Sequence, residues 1–361
     1  MQPESKTVVV GMSGGVDSSV AAALLVEQGY RVIGMMLRLW SEAGCEDSNR
    51  CCTPDSMAQA RRVASLLGIP FYAVDAREPF YEAVVVSFLD GYRQGVTPNP
   101  CLVCNKRIRW GMMLEQALDL GADFMATGHY ARIFSLEGQP VELHRGKDER
   151  KDQSYVLSGL NQHQLARTLL PLGDLRKPEV RELARKWNLP VAEKADSQDL
   201  CFLAGNDYRP FLQRHVPEVA QHGEIVDLNG KVVGQHNGLA FYTIGQRKGL
   251  GIAAPEPLFV LEKDLVHNRL VVGRRDELGG ESLTAGPVNW ISGKIPETSF
   301  KADVKIRYKA EPKPAMVSPT ADGKVRIQFE QPLRDITPGQ MAVMYNGDQV
   351  IGSGIISLRE E

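Results

Sequence analysis

A short apolar segment that ends in a serine- and glycine-rich turn, close to the start of the chain, most constrains the fold. The predicted strand Thr7–Val10 leads into the turn Gly11–Gly15, and a predicted helix, Ser18–Gln28, follows. A turn of small residues before a helix exposes backbone N–H groups at the positive end of the helix dipole, which together attract phosphate. The order of strand, glycine turn and helix therefore predicts an α/β domain with an anion site beyond its first strand.

An aspartate, Asp17, stands directly beside this turn. A carboxylate would repel a bound phosphate unless a divalent cation lay between them, so its position predicts Mg²⁺ near Asp17. The Walker A pattern is absent, because no Gly-Lys pair in the chain is followed by Ser or Thr. The simpler interpretation is a capped helix start without a ligand. It does not account for the combination of the strand, the Ser-Gly-Gly turn and the aspartate that follows.

The first 200 or so residues alternate between predicted strands and helices. The predicted strands are Thr7–Val10, Arg31–Leu37, Phe71–Asp75 and Asp123–Thr127, and the predicted helices are Ser18–Gln28, Ser56–Leu67, Glu78–Tyr92, Arg107–Leu120 and Lys177–Trp187. This alternation is typical of a parallel sheet covered by helices on both faces. In such sheets ligands bind beyond the carboxyl ends of the strands, where the turn 11–15 lies.

The composition of the sequence changes from about residue 211, where Gly and Pro become frequent. Short apolar runs, Leu258–Leu261 and Leu270–Val272, replace helical periodicity, and the final segment alternates with period two. In one predicted strand, Val304, Ile306 and Tyr308 share one face, and Lys305 and Arg307 lie on the other. In a second predicted strand, Val325, Ile327 and Phe329 share one face. The chain is therefore predicted to contain an α/β domain (1–210), a small central domain (211–278) and an antiparallel β-barrel (279–361).

Length and charge restrict the class of protein. The 361 residues are 43% hydrophobic and contain no apolar run long enough to span a membrane. The start, Met1–Lys6, lacks a signal-peptide pattern, so we expect a cytoplasmic protein with reduced cysteines and no membrane partner. A net charge of −2 argues against a generally basic nucleic-acid surface. Local basic groups exist, at Lys106, Arg107 and Arg109 and at Arg145, Lys147, Arg150 and Lys151.

Three cysteines stand in contexts that suggest chemistry. Cys101 and Cys104 lie in the segment Thr97–Asn105, whose two prolines are expected to keep it out of a helix. A basic helix starting just behind Cys104 would favour the thiolate form, so a reactive or metal-binding role is predicted in place of burial. Cys201 precedes apolar residues, and taken alone it is better interpreted as a small hydrophobic residue at a core edge.

The cysteine spacing leaves several chemistries open. A Cys-x-x-Cys pair is either redox-active or metal-binding, but a four-cysteine zinc site needs a second such pair, which the sequence lacks. Three thiolates are sufficient for an iron–sulfur cluster with one open iron. Cys45, Cys51 and Cys52 match no metal motif and are predicted to be loop thiols without an assigned role.

Two levels of resemblance follow from these motifs. The segment Gly11–Ser18 resembles the loop of the PP-loop, or ATP pyrophosphatase, superfamily, whose members hold the β- and γ-phosphates of ATP and expose the α-phosphorus to attack. The chain as a whole is similar to the tRNA 2-thiouridylase family. The segments that carry this second resemblance are Thr97–Asn105, Ala126–Tyr130, Lys151–Tyr155, Asp196–Phe202, Phe241–Gly249 and Lys305–Tyr308.

The resemblance implies adenylation by ATP of C2 of the wobble uridine in the tRNAs for Lys, Glu and Gln, followed by sulfur transfer with release of AMP and pyrophosphate. It implies a PP-loop domain of the adenine nucleotide α-hydrolase type, a small tRNA-binding domain and a β-barrel. The implied partners are tRNA and a persulfide sulfur donor, and the implied cofactors are ATP, Mg²⁺ and, on one of two mechanisms, a [4Fe-4S] cluster.

The family's site residues carry over by motif. ATP would be bound by Gly11, Met12, Ser13, Gly14, Gly15, Val16, Asp17, Ser18, Leu37 and Gly128. The target base would lie against Asn99, Pro100 and Cys101, and tRNA would contact His129, Lys151, Asp152, Gln153, Arg307, Tyr308 and Gln340. Cys104 would be the nucleophile and Cys201 the persulfide carrier. Without the resemblance, Lys151 and Asp152 would be interpreted as capping or ion-pair residues, and Arg307 and Tyr308 as strand-surface residues.

Cys101 departs from the pattern of some family members, which carry aspartate there, and two mechanisms stay open. In one, a persulfide on Cys201 attacks C2 and Cys104 then closes a disulfide with Cys201. In the other, Cys101, Cys104 and Cys201 hold a [4Fe-4S] cluster that binds the transferred sulfide. Two rival classes also remain: a PP-loop ligase for a small molecule, which has no need of Cys104 or Cys201, and a non-enzymatic RNA-binding or redox-sensing protein.

Asp17→Ala separates an ATP-dependent enzyme from a protein that only binds RNA. We expect this change to abolish ATP-dependent adenylation, measured as pyrophosphate release, because it removes the charged group of the phosphate loop. RNA binding, measured by gel shift, should largely persist. Full turnover by the Asp17→Ala variant would show that the function assigned to the loop is wrong.

Overall fold

The structure, a computed structural model, describes residues 6–42, 53–195, 200–203 and 207–357. Cys45, Cys51 and Cys52 lie outside the described residues. Within the described ranges, the protein contains no helix that is both long enough and apolar enough to cross a membrane.

A parallel sheet forms the centre of the N-terminal region. The first seven strands are β1 (Thr7–Gly11), β2 (Arg31–Arg38), β3 (Phe71–Asp75), β4 (Phe124–Ala126), β5 (Ala131–Phe134), β6 (Glu142–Arg145) and β7 (Thr168–Leu169). Five of them pair in the order β3-β2-β1-β4-β7, with every neighbour parallel. Val8, Val9 and Val10 are fully buried, because β1 lies in the middle of a sheet covered on both faces. The predicted parallel α/β architecture is confirmed.

Helices connect and cover these strands. Their bounds are α1 (Val16–Glu27), α2 (Pro54–Leu66), α3 (Arg77–Phe80), α4 (Val86–Arg93), α5 (Pro100–Val103), α6 (Leu114–Asp119), α7 (Ser154–Leu157), α8 (Gln162–Ala166), α9 (Lys177–Lys186) and α10 (Arg209–His215). The wider π-helical turns Tyr81–Val85 and Cys104–Met113 join α3 to α4 and α5 to α6. The result is two long helical stretches, Arg77–Arg93 and Pro100–Asp119.

The start of the second stretch corrects a prediction. The helix begins at Pro100, so Cys101 and Cys104 both lie on it, whereas the sequence pattern predicted that they lie ahead of it. The reason is that proline is well suited to the first position of a helix, where its missing N–H would have no partner in any case. Asn99 caps this end, since its Oδ1 accepts the backbone N–H of Cys101 at 3.1 Å.

A four-stranded sheet follows in the central region. Its strands are β8 (Gly223–Val226), β9 (Val232–His236), β10 (Phe259–Asp264) and β11 (Arg269–Gly273), in the order β10-β11-β8-β9. Two short 3-10 turns, Pro217–Ala220 and Leu239–Phe241, flank it. Buried Val260 and Leu270 pack in one hydrophobic cluster with Phe88 and Tyr92, so the sheet packs against the helical stretch 77–93.

The C-terminal region forms an antiparallel barrel, as predicted. Its strands are β12 (Gly280–Ala285), β13 (Asn289–Trp290), β14 (Phe300–Lys305), β15 (Lys313–Pro319), β16 (Val325–Leu333), β17 (Met341–Asn346) and β18 (Gln349–Ile355). The order β12-β16-β15-β14-β17-β18 closes where Ala285 bridges Ile356. The prediction that Tyr308 shares a strand face with Val304 is wrong, because β14 ends at Lys305 and Tyr308 lies in the following turn.

Several contacts attach the barrel to the N-terminal region. The hairpin β5–β6 extends the barrel sheet, with His144 of β6 paired to Gln349 of β18. On the other side, the Gln340 side-chain amide donates to the Thr97 carbonyl at 2.8 Å, just ahead of the helix that carries the cysteines. The barrel therefore helps to position this helix, which the sequence did not indicate.

Lys263 provides a test of the packing between the central sheet and the helices. Its ammonium donates to the Gly95 carbonyl at 3.3 Å, and burial lowers the pKa of Lys263 to about 8. Below pH 8 the protein therefore holds a buried charge that the unfolded chain keeps in water. Between that pH and the ordinary lysine pKa of 10.5 the unfolded chain binds more protons, so stability should rise with pH.

We expect Lys263→Met to raise the free energy of unfolding by about 1–3 kcal/mol at pH 7, and the gain should vanish by about pH 11. Urea unfolding of both proteins across this pH range measures the difference. Lys301→Met, at an exposed position on β14, is the matched control and should show no such trend. Stability curves that stay parallel for wild type and Lys263→Met would contradict the prediction.

Candidate active site

The glycine- and serine-rich loop lies at the carboxyl end of β1, in the middle of the parallel sheet. Gly14 has a φ of +69°, and a side chain there would come within 2.2 Å of the Ser56 carbonyl oxygen. The Ser18 hydroxyl accepts the Ser13 backbone N–H at 3.1 Å. These contacts fix a tight loop over the N-terminus of α1, the arrangement that suits a phosphate.

Gly128 meets this loop from the neighbouring strand. A Cβ on Gly128 would lie 2.7 Å from the Asp17 carbonyl carbon and from the Ser18 nitrogen, so only glycine fits. Leu37 lies near the end of β2, on the other side of β1, and packs against two of the hydrophobic clusters. The residues predicted to bind ATP thus surround the carboxyl ends of three adjacent strands.

Asp17 is held by two residues that the motif did not indicate. Its Oδ1 accepts hydrogen bonds from the Tyr130 hydroxyl and from the Lys177 ammonium, both at 2.7 Å. Its Oδ2 accepts a second hydrogen bond from the same ammonium at 2.8 Å. Lys177 is the first residue of α9 and is buried.

The segment Lys151–Gln153, which was predicted to contact tRNA, stabilises the position of Tyr130 beside Asp17. The side-chain Oε1 of Gln153 accepts the Tyr130 backbone N–H at 3.0 Å. The backbone N–H of Gln153 donates to the Tyr130 carbonyl at 2.8 Å. Asp152 is buried and accepts N–H groups of Gly146 and Ser154. One loop therefore shapes both the phosphate site and a surface beside it.

The thiols differ in their surroundings. Cys104 is 7% exposed and lies in a cluster with Phe88 and Phe202, so the prediction that it avoids burial is wrong. The cause is that the helix starting at Pro100 turns Cys104 toward the stretch 77–93. Cys201 is half-buried against the same cluster, as its apolar neighbours indicated, while Cys101 is exposed.

A single helical stretch connects Cys104 to the phosphate loop. Met113 lies nine residues beyond Cys104, and a Cβ on Gly11 would stand 2.7 Å from the Met113 methyl carbon. The thiol therefore lies on the same continuous helical stretch that packs against the phosphate loop.

His129 and Arg109 lie beside this stretch. An Arg109 N–H donates to His129 Nε2 at 3.1 Å, and Nδ1 is 2.7 Å from the Thr127 hydroxyl. Nε2 is therefore an acceptor, and Nδ1 carries the proton. Burial and then the Arg109 charge hold the pKa of His129 well below its ordinary value. His129, predicted to contact tRNA, lies in the interior behind Arg109.

The barrel brings Tyr308 near Cys101. Burial, and then the charges of Asp152 and Cys101, raise the pKa of the half-buried Tyr308. Arg307 is exposed and pairs with Asp335 at 2.5 Å. Lys305 and Arg145, which sequence reasoning did not single out as site residues, lie close by. The Lys305 ammonium is 5.8 Å from the Tyr308 ring centre, and the Arg145 guanidinium is 4.2 Å from that of Tyr345.

The three thiols are not gathered into a metal site. Among the described residues, which include Cys101, Cys104 and Cys201, no three Cys, His, Asp or Glu side chains are grouped so as to hold a metal ion. The arrangement of these cysteines therefore does not fit a preformed iron–sulfur site.

A glycine–serine loop at the carboxyl end of the central strand of a parallel sheet is typical of the α/β class of nucleotide-binding proteins. Family models match the chain in three parts. They are described as a tRNA methyl transferase HUP domain (6–205), a tRNA methyl transferase PRC-barrel domain (209–274) and an aminomethyltransferase beta-barrel domain (280–356).

Full-length relatives make the assignment more specific. A tRNA-specific 2-thiouridylase MnmA of Carboxydothermus hydrogenoformans is 47% identical over 359 residues, covering 98% of both chains. The same-named protein of Magnetococcus marinus is 47% identical over 356 residues, covering 98% of this chain and 99% of its own. That of Natranaerobius thermophilus is 46% identical over 359 residues, 98% of this chain and 97% of its own. The chain belongs to the tRNA-specific 2-thiouridylase family.

The buried His129 gives a pH-dependent prediction. Because the unfolded chain protonates this histidine near pH 6.5 while the folded protein resists it, stability is lost as the pH falls below that value. Nitrogen NMR should show a neutral imidazole with its proton on Nδ1 at pH 6. Arg109→Gln should raise the pKa of His129 but leave it below 6.5, because burial lowers this pKa more than the Arg109 charge does.

Arg107→Gln, at an exposed position on the same helix, is the control and should leave the His129 signals unchanged. An imidazole that titrates between pH 6 and 7 in the wild-type protein would contradict the assignment.

Proposed function

We propose that the protein is an ATP-dependent tRNA sulfurtransferase that replaces the O2 oxygen of the wobble uridine by sulfur. The observation that carries the proposal is the helical stretch 100–119, which packs on the phosphate loop at Gly11 and carries Cys104 further back. The substrate class comes from the relatives, whose names describe tRNA-specific 2-thiouridylases. The tRNAs for Lys, Glu and Gln are the proposed substrates.

The nucleotide would lie across the carboxyl ends of β2, β1 and β4. Its phosphates would meet the backbone N–H groups of the loop 11–18 and the dipole of α1. Leu37, at the end of β2, would lie beside the adenine. Gly128 supports this placement, because its missing side chain lets the neighbouring strand approach the loop closely.

The first chemical step would activate the base. The uridine O2 attacks the α-phosphorus of ATP, an oxygen–phosphorus bond forms, and the bond to pyrophosphate breaks. AMP is then attached to C2 as a leaving group. Because the base must stand between the α-phosphate and the thiols, it must be turned out of the anticodon loop, at a cost of a few kcal/mol.

The second step would transfer sulfur. The terminal sulfur of a Cys201 persulfide attacks C2, and AMP leaves with the carbon–oxygen bond electrons. The Cys104 thiolate then attacks the inner Cys201 sulfur, the persulfide bond breaks, and its electron pair stays with the sulfur on C2. A Cys104–Cys201 disulfide results, which a dithiol reduces before a persulfide-carrying donor protein reloads Cys201.

The surroundings of the thiols support this route over a cluster. Cys104 and Cys201 pack in one apolar cluster, which shields a persulfide from water, whereas Cys101 is exposed. Asn99, Pro100 and Cys101 would instead line the pocket of the target base. Pro100 is buried, so this wall is rigid.

RNA would bind along the side formed by the loop 146–153 and the barrel turn 306–310. Lys151, Gln153, Arg307 and Tyr308 are the proposed contacts, and Gln340 supports them from its place against Thr97. Such a local basic surface is compatible with the net charge of −2, and binding through phosphates should weaken steeply as salt rises.

Serine replacement of each thiol tests the proposal. With ATP, Mg²⁺, a persulfide donor and unmodified tRNA, mass spectrometry of nucleosides should show 2-thiouridine from the wild type. Cys104→Ser and Cys201→Ser should reduce its formation at least 100-fold, because each removes a sulfur that reacts. Cys101→Ser removes an exposed thiol that would line the base pocket without reacting, so sulfur transfer should persist with a loss of no more than several-fold.

Other results would point elsewhere. Loss of activity in Cys101→Ser, with iron in active enzyme purified without oxygen, would establish the cluster mechanism instead. Full product from Cys104→Ser or Cys201→Ser would reject the thiol chemistry altogether. A wild type that consumes ATP without any RNA product would support a small-molecule ligase.

A further inference from the structure

Two cations lie at the seam between the hairpin β5–β6 and the barrel. Arg145 is the last residue of β6, and Lys305 is the last residue of β14. Both residues are half-buried. Among the residues that the structure describes, neither side chain forms an ion pair with a carboxylate. Charged groups withdrawn from water without such a partner cost free energy, so stability does not explain their position.

The strand register places Lys305 on the outer face of the barrel. Strand β14 pairs with β17, with Asp303 opposite Tyr345 and Lys305 opposite Val343. Opposed residues and residues two apart share one face of a sheet, so Lys305 lies on the same face as Tyr345. Tyr345 is fully buried in a cluster with Tyr155 of α7. This face of the barrel therefore packs on the N-terminal region, and the half-buried Lys305 lies beside that contact.

Arg145 reaches the same tyrosine from the hairpin. Its guanidinium lies 4.2 Å from the centre of the Tyr345 ring. Its backbone is fixed, because its N–H donates to the Asp348 carbonyl at 2.9 Å and its carbonyl accepts the Arg132 Nε–H at 2.7 Å. The Nε atom of Arg145 is buried and has no hydrogen-bond partner. The cost of this unmade hydrogen bond offsets the contact with the ring, so the guanidinium is held in place with little gain in stability.

The carboxylate that acts on Lys305 belongs to Asp152, which already accepts three hydrogen bonds. Its Oδ1 accepts the backbone N–H groups of Gly146 at 3.1 Å and Ser154 at 3.0 Å, and its Oδ2 accepts the Ser154 hydroxyl at 3.0 Å. Burial lowers the pKa of Lys305, the Asp152 charge raises it, and the Arg145 charge lowers it again. Two positive charges therefore face one carboxylate, and such a site attracts an anion.

This pair of cations lies one aromatic ring away from the proposed base pocket. The Lys305 ammonium is 5.8 Å from the centre of the Tyr308 ring. Tyr308 in turn lies near Cys101, which is proposed to line the pocket with Asn99 and Pro100. A nucleotide carries a phosphate on each side of its sugar. The anion that comes nearest to this pair when a base enters the pocket is therefore a phosphate of the RNA backbone.

We propose that Arg145 and Lys305 bind one backbone phosphate of the RNA directly beside the turned-out uridine. A guanidinium binds phosphate oxygens through its fork of N–H donors, and an ammonium adds a compact charge. The contact carries no sequence information, but it fixes the position of the nucleotide whose base enters the pocket. The inference rests on the proposed function, since it takes RNA as the ligand of this side of the protein.

Removal of one RNA charge at a time tests this inference on the full-length protein. The probe is an RNA hairpin with the anticodon stem and loop of a proposed substrate, in which each loop phosphate in turn is replaced by an uncharged methylphosphonate. Fluorescence anisotropy measures its affinity. With the wild type, one replacement beside the target uridine should weaken binding about 10-fold, because it removes the charge that the two cations face. With Lys305→Met, the same replacement should cost at most about three-fold, since one of these cations is already gone.

Salt dependence provides a second readout. The slope of log affinity against log salt should decrease by about 1 in Lys305→Met and in Arg145→Met, as expected for the loss of one phosphate contact. Lys301→Met is the matched control, because Lys301 is an exposed lysine four residues earlier on the same strand. This variant should bind every RNA like the wild type and keep its salt slope.

Three results would overturn the inference. A wild type that tolerates an uncharged linkage at every loop phosphate would do so without any dependence on the folding of a variant. Equal losses in the wild type and Lys305→Met would show that the phosphate is bound elsewhere. Loss of inorganic phosphate binding in Lys305→Met with unchanged RNA affinity would show that the ligand is a free anion. Failure of the proposed function is recognised separately, by a wild type that binds the RNA with the expected pattern but forms no 2-thiouridine.

Discussion

Close approach of backbone to backbone around the phosphate loop is the constraint on which the rest of the site depends. Gly14 meets the backbone at Ser56 and Gly128 meets the backbone of Asp17 and Ser18, while Gly11 meets the Met113 side chain. A single methyl group on Gly14 or Gly128 would clash with the facing backbone. Because the helical stretch 100–119 packs directly on the loop, the position of Cys104 is fixed by the same packing that shapes the anion site.

The polar network extends this constraint outward. Asp17 connects to Lys177 and Tyr130, and Tyr130 connects to Gln153. The loop 146–153 thus holds the phosphate site from the side on which we place the RNA. Residues assigned to different ligands by motif are joined here by hydrogen bonds of 2.7 to 3.0 Å.

Sequence reasoning succeeded where the signal is local. The strand Phe71–Asp75 was predicted with its observed ends, and the alternation of Val325, Ile327 and Phe329 correctly indicated a barrel strand with these residues inside. It failed at Pro100, because proline both breaks helices and begins them, and the sequence alone did not separate the two. Lys177 was missed because its partner lies 160 residues away, a separation at which no periodicity operates.

The pairing of β6 with β18 has a consequence for how the chain divides. The hairpin β5–β6 belongs to the N-terminal region by sequence, yet it completes a sheet whose other strands come from the last 80 or so residues. Cutting the chain between the domains would leave an open strand edge on each fragment, the kind of surface that promotes self-association. The N-terminal region and the barrel therefore share a sheet at this seam, and an N-terminal fragment alone would expose the edge of β6.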